Sequence, residues 1–255
     1  MEAHALQAAD MDRMYRGQKR IYDLTRKYYL LGRDQTLDRI AVAPGDHLCE
    51  VGTGTARNLV RLAHRAPHGH YHGVDISEQM LSQARRNVAR AGLGDRIELH
   101  RGAAEQLDHR ALGLAAPFQA ILFSYCLTIL PAASVPLAVA AAWDSLAPGG
   151  TIYCVEFGPL PAWPRPVRWL FKAVQQLGLL HHDFEGYRQD VVDTLDALTT
   201  SDHVARTPLY GGYAQLITVR KPIDEIESAF GRALIDQTTE AARVSDGPFD
   251  HRGDT

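Results

Sequence analysis

Short apolar runs bounded by polar turns alternate, over residues 46–158, with longer segments whose apolar positions recur every three to four residues. The runs "DHLCEV" (46–51), "HYHGVD" (70–75), "RIELHRG" (96–102), "FQAILFSYC" (118–126) and "GGTIYCVEFG" (149–158) read as buried strands. Between them, "RNLVRLAHRA" (57–66) and "SVPLAVAAAWDSL" (134–146) read as helices. Another helix starts at Ser77, a good N-cap, keeps Met80, Leu81, Ala84 and Val88 at helical spacing, and stops at Gly92. Strand and helix in alternation imply parallel strands, right-handed crossovers and helices on both faces of one sheet. The pattern predicts a doubly wound, Rossmann-like α/β domain.

The flanks differ. "MYRGQKRIYDLTRKYYLLGRD" (14–34) places Tyr15, Tyr22 and Tyr29 seven residues apart, so a helix there carries them as one stripe among basic residues. Residues 160–200 read as helical, with Val167, Leu170, Phe171, Val174 and Leu177 on one face and Arg165, Arg168 and Lys172 on other sides. Trp163 and Trp169 stand near its start, a pattern that suits either a lid packed on the sheet or a helix lying in a membrane interface. "HVARTPLYGGYAQLITVRK" (203–221) reads as two antiparallel strands turning at Gly211–Gly212, bringing the mostly parallel sheet to seven strands. After Pro222 one amphipathic helix (Ile223, Ile226, Phe230, Leu234) leads into a polar tail expected to be disordered from about residue 243. The expected division is a helical lid over 1–40, a main domain over 41–222 with a helical insertion at about 160–200, and a C-terminal helix and tail over 223–255.

The net charge of −3 gives no global attraction to nucleic acid, and none is expected as a partner. Cys49, Cys126 and Cys154 lie singly in apolar runs, so reduced, buried thiols are expected, with neither a disulfide framework nor a zinc site. Twelve scattered histidines without paired-ligand spacing likewise predict no metal site. "MEAHALQAAD" lacks the charge and apolar core of a secretory signal, and no apolar run reaches the ~20 residues that span a bilayer. A cytoplasmic protein that meets a membrane only peripherally, from its inner face, is the expectation.

Ligands of open parallel sheets bind outside the carboxyl ends of the strands. After strand 1 comes "EVGTGTARN", where Gly52 and Gly54 let backbone pass close to a ligand and the next helix points its positive end at it. A dinucleotide fingerprint requires a third glycine; Ala56 and Arg57 stand there instead, and Glu50 precedes the first glycine. An acid in that place suits a cationic ligand better than a diphosphate. After strand 2 comes Asp75, where a carboxylate can accept hydrogen bonds from two ribose hydroxyls.

This constellation resembles the class I S-adenosylmethionine-dependent methyltransferases over residues 46 to about 158. The resemblance implies that cofactor, with Glu50, Gly52, Thr53 and Gly54 at its methionine end and Asp75 on the ribose. Ile76 and Met80 would lie on the adenine face, Gly102, Ala103 and Ala104 would wrap the adenine, and Ser124 would join from strand 4. Many relatives have an aspartate where Ala103 stands, so Glu105 or backbone carbonyls would accept the adenine amino hydrogens here.

More narrowly, "QKRIYDLTRKYYLLGRD", "FSYCLTILP", "EFGPLPAW" and "PLYGGYA" resemble, from residue 14 to about 222, the enzymes that trimethylate diacylglycerylhomoserine to the betaine lipid diacylglyceryl-trimethylhomoserine. That resemblance implies a lipid head-group substrate, an N-terminal lid over the transfer site, and an aromatic cage of Tyr15, Tyr22, Tyr29 and Tyr125 around an amine that becomes a fixed cation. Arg33, with Arg26 and Lys27, would clamp a carboxylate of substrate or cofactor. His181, His182, Asp23 or water would take the amine proton. Other acceptors, such as phosphatidylethanolamine or a quinone, fit the same fold; an NAD-dependent oxidoreductase or a non-catalytic binding protein fits the residues less well.

Overall fold

The computed structural model describes residues 30–159, Trp169 and residues 187–223. The tyrosine stripe of Tyr15, Tyr22 and Tyr29, Arg26 and Lys27, the 161–180 segment apart from Trp169, His181, His182 and the tail lie outside the described residues. Seven strands form one sheet: β1 (His47–Val51), β2 (His70–Asp75), β3 (Ile97–Arg101), β4 (Phe118–Ser124), β5 (Leu146–Phe157), β6 (Val204–Leu209) and β7 (Ala214–Arg220), in the order β3-β2-β1-β4-β5-β7-β6. The pairs β1–β2, β2–β3, β1–β4 and β4–β5 are parallel. β7 runs antiparallel to both β5 and β6.

Helices α1 (Arg33–Leu37), α2 (Arg57–Arg65), α3 (Glu78–Arg90), α4 (Ser134–Ser145) and α5 (Gln189–Asp196) accompany the sheet. Two cores form on its opposite faces. α2 and α3 bury Leu59, Leu62, Ala84 and Val88 with Leu48, Tyr71 and Leu122. α4 and α5 bury Val135, Val139, Trp143 and Leu195 with Val51, Ile121, Phe123 and Ile152. Covering both faces is why the central strands read as continuous apolar runs without alternation: β1 is buried at all but its first residue. Ser77 caps α3 as expected, its Oγ accepting from Met80 N at 3.3 Å.

The hairpin closes as the sequence predicts, Gly211 and Gly212 taking positive φ of 64° and 89°. β5, however, begins at Leu146, earlier than residue 149. Leu146 pairs with Phe118 and Thr151 with Ala120, so residues 147–150 stand opposite Gln119 alone. "APGG" reads as a turn and is in fact an irregularity within a strand. The three cysteines are free and buried. Among the described residues, no helix is long and apolar enough to cross a membrane.

Candidate active site

The strand order reverses between β1 and β4, and the loops following β1, β2, β3 and β4 converge there. Gly52 is at φ 72°, and a Cβ on it would meet Cys126 Sγ at 2.6 Å. That position therefore requires glycine on both conformational and steric grounds. Gly52 N and Thr53 N both donate to Val74 O, at 2.8 and 3.0 Å, tying the loop to β2. Ala56, where a third glycine is absent, takes the left-handed conformation itself (φ 60°) and leads directly into α2. The missing glycine is thus met by a strained alanine, at a cost of about 1 kcal/mol or more.

Glu50 is 1% exposed. Asn58 Nδ2 donates to its Oε1 at 2.7 Å and Thr53 Oγ1 to its Oε2 at 3.1 Å. Burial pushes its carboxyl up to about 7, while those hydrogen bonds and the Arg33 charge act to lower it and Asp75 adds to the rise. A buried carboxyl poised there is stabilised as an anion by an incoming ammonium. Asp75 accepts from Gly54 N at 2.7 Å through Oδ2 and from Ser77 N at 2.9 Å through Oδ1. It both fixes the loop geometry and lines the cleft.

Two adjoining clefts share Gly52, Gly54 and Ser124. One, of about 700 Å³, is lined by Ile76, Met80, Gly102, Ala103, Ala104, Glu105 and Tyr125. Its mostly apolar walls suit a flat heterocycle. The other carries Glu50, Arg33, Thr53, Asn58 and Asn87, an acid and a base that suit the two charges of an amino acid. Both carboxylate oxygens of Glu105, and Ser124 Oγ, are buried atoms without a hydrogen-bond partner among the described residues. Such groups ordinarily find a partner, so they mark where a ligand's donors belong.

Of the expected site residues, Glu50, Gly52, Thr53, Gly54, Asp75, Ile76, Met80, Gly102, Ala103, Ala104, Glu105, Ser124, Arg33 and Tyr125 all line these clefts. Tyr125 is 5% exposed, sits at φ 55°, and its hydroxyl donates to Leu31 O. Burial raises that phenol well above its ordinary range, with Glu156 the next contributor, so it stays protonated. Its ring meets Phe157 edge-on at 4.8 Å, and Phe157 meets Tyr213 edge-on at 5.9 Å.

Sequence reasoning missed Asn58 and Glu156. Glu156 is 2% exposed and accepts from Leu127 N at 2.9 Å, from Thr128 N at 3.4 Å and from Thr128 Oγ1. It thereby pins the loop after β4 that forms one cleft wall. Burial pushes its carboxyl up to about 7 against the Thr128 and Leu127 hydrogen bonds. Its signal was present as the acid in "YCVEF", an apolar strand whose burial demands such partners.

Residues 48–150 match the family described as "Methyltransferase domain". The demethylmenaquinone methyltransferase of Symbiobacterium thermophilum is 35% identical over 117 residues, covering 44% of this chain and 43% of that protein. The ubiquinone/menaquinone biosynthesis C-methyltransferase UbiE of Cereibacter sphaeroides is 28% identical over 166 residues, 62% of each chain. The chain thus spans about half to three fifths of the length of these relatives. Among solved structures, the S-adenosylmethionine-dependent methyltransferase SibL superposes with a TM-score of 0.55 at 21% identity, covering 82% of this chain and 58% of that one. A putative S-adenosylmethionine-dependent methyltransferase from Methanococcus maripaludis gives 0.55 at 17% identity, covering 86% and 94%. Fold and matched segment agree: residues 48–150 match a methyltransferase-domain family, and the sheet has the Rossmann-like fold of the class I methyltransferases, proteins whose cofactor is S-adenosylmethionine.

Proposed function

We propose that this protein is an S-adenosylmethionine-dependent N-methyltransferase that trimethylates the homoserine amine of diacylglycerylhomoserine. The cofactor, when bound, supplies an activated methyl group on a sulfonium. The chain's own residues hold and orient. Glu50 would hold the cofactor's ammonium and Arg33 its carboxylate, Asp75 would accept from the ribose hydroxyls, and Glu105 would accept from the adenine amino group in place of the missing aspartate.

The observation that carries the acceptor reading is the ring of Tyr125, which lines the cleft and is backed by Phe157 and Tyr213 packed edge-on behind it, beside the point where the N-terminal segment enters at Leu30 and Leu31. Leu30 packs in one cluster with Tyr125 and Tyr213. Tyrosine faces attract a quaternary ammonium by about 0.5–2 kcal/mol, so the Tyr125 ring favours the fixed trimethylammonium that the third transfer leaves once the amine has lost its protons. Ile129 and Leu130 form an apolar rim to the cleft, and Ile129 is exposed. That rim suits acyl chains, and Tyr15, Tyr22 and Tyr29, outside the described residues, are the proposed remainder of the cage. Deprotonating an α-amine of pKa near 8 costs only about 1–3 kcal/mol at neutral pH, so positioning outweighs acid–base work. Access to such a lipid implies peripheral contact with a membrane surface, through the 161–180 segment and the basic lid.

A second reading, C-methylation of a quinone ring, is favoured by the similarity to demethylmenaquinone and ubiquinone/menaquinone C-methyltransferases. It requires the same cofactor cleft and an apolar acceptor site. Lipid extracts from a host expressing the chain, with and without added diacylglycerylhomoserine, separate the two by mass spectrometry. The N-methylation reading expects mono-, di- and trimethylated homoserine lipid only with the added acceptor; a methylated quinone with no change in the homoserine lipid would replace it with the second.

A further inference from the structure

One face of β1, β2 and β3 carries five metal-ligating side chains side by side. Pairing sets His47 opposite His70 and His72 opposite Glu98. The two-residue strand period keeps His70 with His72, and Glu98 with His100, on that face. The rings stack in a column: His47 on His70 at 4.8 Å, His47 on His72 at 5.2 Å and His72 on His100 at 5.8 Å.

Within the column one atom set converges. Glu98 Oε2 lies 3.9 Å from His72 Nδ1 and 3.7 Å from His100 Nε2, and the three ligand atoms lie within 4.8 Å of one another. His72 is 1% exposed. Its Nδ1 and His100 Nε2 are buried atoms with no hydrogen-bond partner among the described residues. Two buried nitrogens and a carboxylate oxygen facing a common point leave something out.

We propose that His72, Glu98 and His100 bind one divalent transition-metal ion of the zinc type. Two imidazoles and a carboxylate are a donor set that suits such ions, with water completing the shell. Bonds of about 2.0–2.2 Å to a tetrahedral ion place ligand atoms about 3.4 Å apart, so the two Glu98 spacings need close by only a few tenths of an ångström, while the two histidine nitrogens, within 4.8 Å of each other, need close by up to about 1.4 Å through side-chain rotation. His47 supplies the outer support: its Nδ1 lies 3.0 Å from His72 Nε2. Metal bonding through His72 Nδ1 selects the tautomer in which His72 Nε2–H donates to His47. The Glu98 side chain is 63% exposed, which gives the ion an entry path. The ion cross-links β2 to β3 about 10 Å along the strand from Asp75, away from the methyl-transfer chemistry.

The sequence expectation of no metal site was drawn from spacing within single segments, whereas "HYH" and "ELH" supply side chains on alternate positions of two strands that only sheet pairing unites. The test uses the full-length protein stripped with chelator and titrated with Co²⁺. One equivalent should give visible d–d absorption bands, Zn²⁺ should displace them, and either ion should raise the thermal midpoint. Glu98→Gln and His100→Ala, in protein that keeps its far-ultraviolet circular dichroism, should lose the bands and the thermal shift while S-adenosylhomocysteine affinity stays within twofold. No saturable Co²⁺ binding in the wild type, or unchanged stoichiometry and spectrum in both variants, would overturn the proposal.

Discussion

Gly54 N donates to Asp75 Oδ2 at 2.7 Å, so the acid that ends β2 holds the glycine loop that follows β1. One carboxylate both shapes the cleft and faces it. Asp75→Ala removes this bond and the one from Ser77 N, together with the ribose partner. Affinity for S-adenosylhomocysteine should fall by roughly 1–3 kcal/mol, about fivefold to 150-fold. Calorimetry reads this directly, and NAD should give no heat with either protein. Unchanged affinity in the variant would remove Asp75 from the cofactor site.

Glu50 predicts a pH dependence of known sign. Its folded carboxyl is raised from 4.5 to about 7, so between those values the folded protein holds more protons than the unfolded chain, and the buried acid destabilises increasingly as pH rises through that window. An ammonium bound beside it favours the anion, so binding below pH 7 releases a proton. Affinity for S-adenosylhomocysteine should therefore climb between about pH 5 and 7 and then level off. Glu50→Gln should bind more weakly at pH 8 and show a flatter profile; parallel profiles in the two proteins would assign the proton elsewhere.

Glu105 offers two unpartnered carboxylate oxygens beside Ala103 and Ala104. If they accept from the adenine amino group, S-inosylhomocysteine, which has a carbonyl there, should bind at least tenfold more weakly than S-adenosylhomocysteine. In Glu105→Ala that preference should collapse to within about threefold. A preference that survives the substitution would place the amino group against backbone carbonyls.

Much of this was legible because parallel strands covered on both faces show as uninterrupted apolar runs, and because Gly52, Gly54 and Asp75 stand at strand ends where ligand chemistry is expected. Ala56 shows the limit: a glycine pattern records the need for a positive φ, yet an alanine can satisfy it at a cost. Glu156 could be suspected as an acid inside an apolar strand, but its partner could not, since Leu127 lies 29 residues away in the chain, and Asn58 gave no signal because only the loop after β1 turns it back onto Glu50. Residue 149 marked the start of β5 too late because Gly149–Gly150 breaks the propensity signal while Leu146 still pairs with Phe118. The histidine column escaped for the same reason, since register belongs to the sheet and not to any one strand.

The proposed membrane contact rests on the basic residues of the 14–34 sequence and on the Trp163–Leu180 sequence, within which Trp169 is 70% exposed. Co-sedimentation should be greater with anionic than with neutral vesicles and should decline with added salt, because the attraction is electrostatic. Equal, negligible pelleting with both would assign that segment to the protein's own surface.

The central claim, methyl transfer to a lipid amine, is tested most directly with purified protein and S-adenosylmethionine carrying a trideuterated methyl group. Mixed vesicles would contain diacylglycerylhomoserine and demethylmenaquinone together, so that the acceptors compete. The account predicts deuterated methyl groups accumulating stepwise on the homoserine nitrogen, up to three per lipid, with tandem mass spectrometry placing them on the head group. Deuterium in the quinone ring, with the homoserine lipid unlabelled, would contradict it.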